Sequence, residues 1–224
     1  MKITHHSIAL GLCAALSLSV SALAKDEAKE SAKASSDWVT IFDGTSLDGW
    51  TSNEENKGCF KVADGMLKVN GKRAHLFYSG KVANAEFTNF ELRAKVKTEP
   101  KANSGIYFHT KFQKSGWPSK GYECQVNNTH SDRKKTGGLY AIKDVLDNAP
   151  AKDGEWFDYH IKVEGKRVTI SINGKVTSDY TEPANAERPA SMKERLIDKG
   201  TFCIQAHDPG SVVYFKDIAV KVLK

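Results

Sequence analysis

Residues 154–174 read GEWFDYHIKVEGKRVTISING. Tyr159, Ile161 and Val163 alternate with His160 and Lys162, and Val168, Ile170 and Ile172 alternate with Thr169 and Ser171. This period-two pattern gives each strand one apolar face and one polar face. Glu164, Lys166 and Arg167 flank the turn between the strands as plain surface residues, and Asn173-Gly174 is a hairpin signal because both residues tolerate positive φ. The same texture extends outward from Trp38 to the C-terminus, with Asp64-Gly65 and Asn70-Gly71 as further hairpin signals. Phe90–Val96, Gly105–Thr110, Tyr122–Val126, Phe202–His207 and Val212–Val220 are the other clear strands. Short runs broken by Gly, Asn and Asp at intervals near ten residues indicate an all-β sandwich or barrel. One short helix is expected where Ser191 and Glu194 form a capping box ahead of Leu196 and Ile197, with Gly200 as the stop.

Composition sets the frame for that reading. Of 224 residues, 40% are hydrophobic and 27% charged, which suits a folded chain with one sizeable core. At roughly 200 residues such a chain buries about 70% of its extended surface without a metal or disulfide staple. Lys2, the apolar run Ile8–Leu23 and the small residues Ala22 and Ala24 mark residues 1–24 as a cleavable secretory signal. Residues 25–36, KDEAKESAKASS, read as a flexible linker, and 37–224 as the β-sandwich domain. The expected location is therefore periplasmic or secreted, with no membrane span after signal cleavage.

The formal charge is +6, and Lys2 is the sole charged residue of the signal, so the remaining excess is +5 and scattered. The densest basic run, Arg133–Lys135, has no interleaved aromatics, which argues against a nucleic-acid partner. Cys59, Cys124 and Cys203 remain after signal cleavage. One disulfide plus a thiol, or three buried thiols, both fit, and no Cys/His spacing suggests zinc. Rossmann, Walker, HExxH and GxSxG patterns are all missing from the sequence.

Three strands carry polar pairs two residues apart: Tyr107 with His109, Glu123 with Gln125, and Gln205 with His207. If these strands are neighbours, the pairs form one patch of carboxylate, imidazole, amide and phenol groups suited to a sugar. The plain alternative is a solvated sheet face. Lys, Glu, Thr and Ser usually build such a face, whereas this one offers Gln, His and Tyr. An ordinary glycosidase needs two carboxyl groups across the scissile bond. Only Glu123 is evident, with Asp144 and Asp147 as conceivable partners.

Several segments together resemble the 3-keto-disaccharide hydrolase domain family, of concanavalin-like β-jellyroll fold. They are IFDGTSLDGW (41–50), FKVADGMLKV (60–69), NFELRAKVK (89–97), NSGIYFHT (103–110), GYECQV (121–126), TGGLY (136–140), the 154–174 stretch and IQAHDPGSVVYFKDIAV (204–220). The resemblance covers Trp38 to Leu223. His109 stands where that family usually has Arg, and Phe157 where it usually has Asn.

The resemblance implies a sandwich of two antiparallel sheets with a carbohydrate or keto-sugar site on the concave one. The candidate catalytic residues are Glu123, His109 and His207, and the candidate substrate-binding residues are Gln125, Gln205, Tyr107, Tyr140 and Lys143. It also implies glycosides already oxidised at C3, where the ketone acidifies the C2 proton and a single base suffices. On this reading Glu123 or a neighbouring His is the base. His109, His207 or a divalent metal such as calcium steadies the enolate oxygen, and Gln125 and Gln205 orient hydroxyls. Asp43, Asp48 and Asp64 are candidate calcium ligands, against the plainer reading of turn caps. A non-catalytic lectin-like module is the main rival, and a structural domain docking to an envelope protein is a third reading.

Overall fold

The computed structural model describes residues 37–224, so the expected signal (1–24) and linker (25–36) lie outside the described residues. In chain order the strands are β1 (Val39–Phe42), β2 (Trp50–Ser52), β3 (Phe60–Ala63), β4 (Met66–Asn70), β5 (Ala74–Tyr78), β6 (Phe90–Thr98), β7 (Ser104–Thr110) and β8 (Tyr122–Val126). They continue as β9 (Lys134–Leu139), β10 (Lys143–Leu146), β11 (Phe157–Glu164), β12 (Arg167–Ile172), β13 (Lys175–Thr181), β14 (Thr201–Ala206) and β15 (Val212–Val222). One sheet runs β13-β12-β11-β6-β15-β4-β3, with β1 also paired to β15, and the other runs β10-β9-β8-β7-β14-β5-β2. All strand pairs among the described residues are antiparallel, which makes the protein a concanavalin-like all-β sandwich.

The stretch 154–174 folds as its alternation dictates. Val163 faces Val168 and Tyr159 faces Ile172 across β11 and β12, and the side chains Tyr159, Ile161, Val163, Val168, Ile170 and Ile172 all enter the core. Asn173 and Gly174 both hold positive φ in the tight turn to β13. Asn70-Gly71 departs from expectation. It links β4 in one sheet to β5 in the other, and the Asn70 amide donates across to the Pro209 and Ser211 carbonyls.

The expected helix after Ser191 is a single 3-10 turn, Ala190–Met192. The backbone N–H groups an α-helix would use are drawn elsewhere. Ile197 donates to the Glu182 carboxylate at 2.7 Å, Asp198 to His109 Nδ1 and Gly200 to the Phe87 carbonyl. The Glu194 side chain accepts from Ser119 instead of closing a capping box. Cys59, Cys124 and Cys203 are all buried free thiols, the second of the two arrangements expected.

Candidate active site

β7 lies between β8 and β14, which sets Tyr107 opposite Glu123 on one side and opposite Cys203 on the other. Ile106, Phe108, Tyr122, Cys124, Val126, Phe202, Ile204 and Ala206 point into the core. By strand parity Gly105, Tyr107, Glu123, Gln125 and Gln205 occupy the outer face. There Tyr107, Glu123, Gln125 and Gln205 line a cleft of about 340 Å³ together with Asn103, Trp117, Asp132, Tyr140, Arg195 and His207. That size falls within the range of small-molecule sites.

The floor is a hydrogen-bonded set. Gln205 Nε2 donates to Glu123 Oε1 and to the Tyr107 hydroxyl, both at 2.9 Å, and Tyr107 in turn hydrogen-bonds Glu123. Gly105 makes this reach geometrically feasible, because a Cβ there would sit 2.7 Å from Glu123 Oε1. Burial pushes the Glu123 carboxyl upward in pKa, against the opposing pull of Arg195, Tyr107, Gln205 and His207. Arg195 Nη2 lies 3.6 Å from Glu123 Oε2, and its Nη1 donates to the Tyr140 carbonyl at 3.0 Å. On the other side Gln125 Nε2 donates to Asn103 Oδ1 at 3.1 Å. The side-chain oxygens of Gln125 and Gln205 are buried and have no partner.

One wall carries a His–Asp pair. His207 Nδ1 and Asp208 Oδ2 are 2.9 Å apart, and Ser211 Oγ and the Gly210 N–H also donate to that carboxylate. Partial burial works the other way, yet the bonds from Ser211, His207 and Gly210 hold the Asp208 carboxyl below its ordinary pKa. A carboxylate only accepts, so His207 carries a proton on Nδ1, and in the neutral tautomer this bond selects the lone pair lies on Nε2. Trp117 stands over this wall, exposed, with its ring 5.4 Å from the His207 ring, and Arg73, itself bound to Glu55, lies over its face. A half-exposed indole beside amide oxygens is a natural platform for the apolar face of a pyranose.

Glu123, Gln125, Gln205, Tyr107 and His207 therefore meet in one cleft, as strand parity predicts, and Tyr140, expected from the family resemblance, joins them. His109 does not. Thr110 pairs with Thr201 and Tyr107 with Cys203, so Phe108 and His109 together face the single residue Phe202. This bulge, with φ of +54° at His109, breaks the alternation. The imidazole packs against Phe90 and Phe108, and its Nε2 meets the Thr88 carbonyl at 2.9 Å. Lys143 is exposed on the edge strand β10, outside the cleft lining.

The other acidic candidates also serve structure. Asp144 accepts from the Ala141 N–H, Asp147 forms a two-bond pair with Arg133, and Asp43 caps Thr45 and Ser46. Among the described residues one group of three has metal-ligand proximity, His130, His207 and Asp208, and Asp43, Asp48 and Asp64 do not come together as such a group. Two imidazoles are poor calcium ligands. The Asp132 N–H donates to His130 Nδ1 at 3.1 Å, which leaves the proton on Nε2, so hydrogen bonding already organises this trio.

Asn103, Trp117, Asp132, Arg195 and Asp208 were not legible as site residues. Asn103 lies two positions before Gly105 on the same parity, and Asp208 directly follows His207, so both left a local signal. Trp117 and Arg195 sit on loops between strands and left none.

Fold and cleft define a concanavalin-like sandwich with a walled, polar pocket on the outer face of its seven-stranded sheet. The chain belongs to the family of 3-keto-alpha-glucoside-1,2-lyase-like domains, which matches residues 37–221. It is 25% identical over 227 residues to a 3-keto-disaccharide hydrolase of Bacteroides thetaiotaomicron, covering 83% of this chain and 78% of that protein. A candidate glycosyl hydrolase from Parabacteroides distasonis shares the fold with a TM-score of 0.71 at 21% identity, over 84% of this chain and 94% of that one. The carbohydrate-binding module CBM66 of Bacillus subtilis also shares it, with a TM-score of 0.53 at 11% identity over 77% and 95% of the two chains.

Proposed function

We propose that this is a carbohydrate-active protein whose cleft cleaves glycosides oxidised at C3. The observation that carries the reading is the meeting of a buried carboxylate, Glu123, with an Asp208-held imidazole, His207, over a floor of unpaired amide oxygens. The family and the Bacteroides relative support the same substrate class.

His207 is the base. Both Glu123 oxygens are engaged, by Gln205 and Tyr107 and by the facing Arg195, whereas His207 has its tautomer fixed and Nε2 free to accept a proton. Nε2 takes the C2 proton, and the C–H electron pair becomes the enolate of the C3 ketone. The enolate then reforms the ketone with a C1–C2 double bond as the C1–O bond breaks, and the departing oxygen takes the proton held by His207. Water adding across the double bond would complete hydrolysis.

The test is to incubate the purified protein with a panel of glucosides and their 3-keto counterparts, with and without chelator, and to follow release of the C1 substituent. Release from the 3-keto compounds alone is expected. Binding of unmodified oligosaccharides with no release would make the protein a lectin-like module instead.

A further inference from the structure

We infer that the cleft accepts its substrate in one orientation, with sugar hydroxyls on the side-chain oxygens of Gln125 and Gln205 and the ketone oxygen on the guanidinium of Arg195. This rests on the keto-glycoside reading above and assigns which group recognises the oxidised carbon.

The argument begins with proton counting. As the carboxylate that faces Arg195, Glu123 only accepts, so the Gln205 amide turns its nitrogen toward it, and the two hydrogens of that nitrogen go to Glu123 and Tyr107. Gln205, which lines the cleft, keeps its buried side-chain oxygen as the one group without a partner. The Gln125 amide is fixed from the other end. The Asp132 N–H makes His130 Nδ1 an acceptor, so Asn103 turns its own nitrogen to His130 and its oxygen to Gln125 Nε2. That leaves the Gln125 oxygen unpaired as well. Two buried oxygens without a donor ask for O–H groups, each left costly until a ligand supplies one.

A ketone has lone pairs and no proton, so placing it on that floor would set acceptor against acceptor. The unoxidised C3 hydroxyl carries no such restriction. Among the described residues lining the cleft, Arg195 is the one Lys or Arg. It is held in place by the Tyr140 carbonyl, the Tyr140 ring 5.5 Å away and the Glu123 carboxylate. A fixed guanidinium can donate to the ketone and stabilise the negative charge that collects on the same oxygen once the C2 proton leaves.

The experiment measures, by titration calorimetry, binding of a 3-keto-glucoside and of its unoxidised parent. A His207→Asn background slows turnover enough for binding to be read. Arg195→Met should lose about ten- to hundredfold in affinity for the keto sugar while changing the parent little, in line with loss of a hydrogen bond to a charged group. Arg195→Lys should restore part of the preference, and Gln205→Leu should weaken both sugars alike. If Arg195→Met does not fold, the double variant Glu123→Gln/Arg195→Met, which leaves no lone buried charge, carries the same comparison. An unchanged keto-to-parent ratio without Arg195, or a Gln205 effect confined to the keto sugar, overturns the assignment and leaves the proposed function standing. Failure of the His207→Asn protein to bind either sugar overturns both.

Discussion

The outer faces of the two sheets start from the same alternation and end as different chemical objects. On the eight-stranded sheet, Glu91 and Lys95 of β6 face Lys162 and Asp158 of β11, and Lys97 faces Tyr214 of β15, through exposed or half-buried side chains. Lys95 pairs with Asp158 at 2.7 Å, and Lys97 and Lys216 lie over the Trp156 ring. On the seven-stranded sheet every residue of β7, β8 and β14 is buried, polar ones included. The difference comes from the loops that bring Trp117, Asp132 and Arg195 back across that face and wall it off from water. Polar groups under such cover must be satisfied by one another or by a ligand, and the Gln125 and Gln205 oxygens and the His75 ring nitrogens are where internal satisfaction stops.

The largest expected effect follows from this contrast. His207→Asn should lower turnover of a 3-keto-glycoside by about 10² to 10⁴-fold, the usual worth of a positioned base, with the fold unchanged. Asp208→Asn should cost less, because it removes the tautomer lock and leaves the imidazole in place. Steady-state kinetics on both variants check this. If His207→Asn retained wild-type turnover, the cleft would be chemically as idle as the outer face of the other sheet.

A second test concerns histidines that the seven-stranded sheet keeps neutral. Burial lowers the pKa of His75, the strand partner of Gln205, to about 4, and does the same for His109. Both ring nitrogens of His75 are buried without a partner. The unfolded chain binds these protons near pH 6.5 and the folded chain refuses them until about pH 4. Their contribution to stability is therefore complete above pH 6.5 and is lost progressively as pH falls toward 4. Between pH 7.5 and 5.5 each should remove roughly 1 kcal/mol. Urea unfolding at the two pH values should show the loss in the wild-type protein and a smaller one in His75→Phe. Equal slopes in the two proteins would mean that His75 is not protected.

Strand parity recovered Glu123, Gln125, Gln205 and Tyr107 because alternation is a property of the backbone and needs no knowledge of partners. It failed at His109 because a bulge depends on the neighbouring strand, where Phe202 alone must face two residues. The helix at 191–200 failed for a related reason. Its local signals were real, but Glu182, His109 and Phe87 compete for its N–H groups from distant parts of the chain. Arg195 and Trp117 entered the cleft by loop placement, which no spacing in the sequence encodes.

Gly105→Ala separates the cleft from the strand that bears it. The added methyl would meet the end of the flexible Glu123 side chain at 2.7 Å, and the φ of Gly105 lies outside the left-handed region. Glu123 must swing away from Gln205 while β7 stays paired. Thermal stability should move by less than about 1 kcal/mol, and catalytic efficiency should drop about tenfold through a misplaced Arg195 and Gln205. Unaltered kinetics would show that the Glu123–Gln205 bond has no part in activity.

The smallest effect belongs to the open face. Lys95→Ala removes an ion pair whose side chains are 43% and 63% exposed. Water already solvates both charges, and ordering two long side chains offsets much of the Coulomb gain, so the expected change in stability is within about 0.5 kcal/mol. The same substitution should leave kinetics untouched, since β6 lies in the eight-stranded sheet and the cleft on the seven-stranded one. Denaturant unfolding at low and high salt gives the decisive reading, because a screened surface pair loses its small contribution as ionic strength rises. A change of 2 kcal/mol, or any loss of turnover, would mean that this face also carries tightly coupled charge and that wetness alone does not distinguish the two sheets.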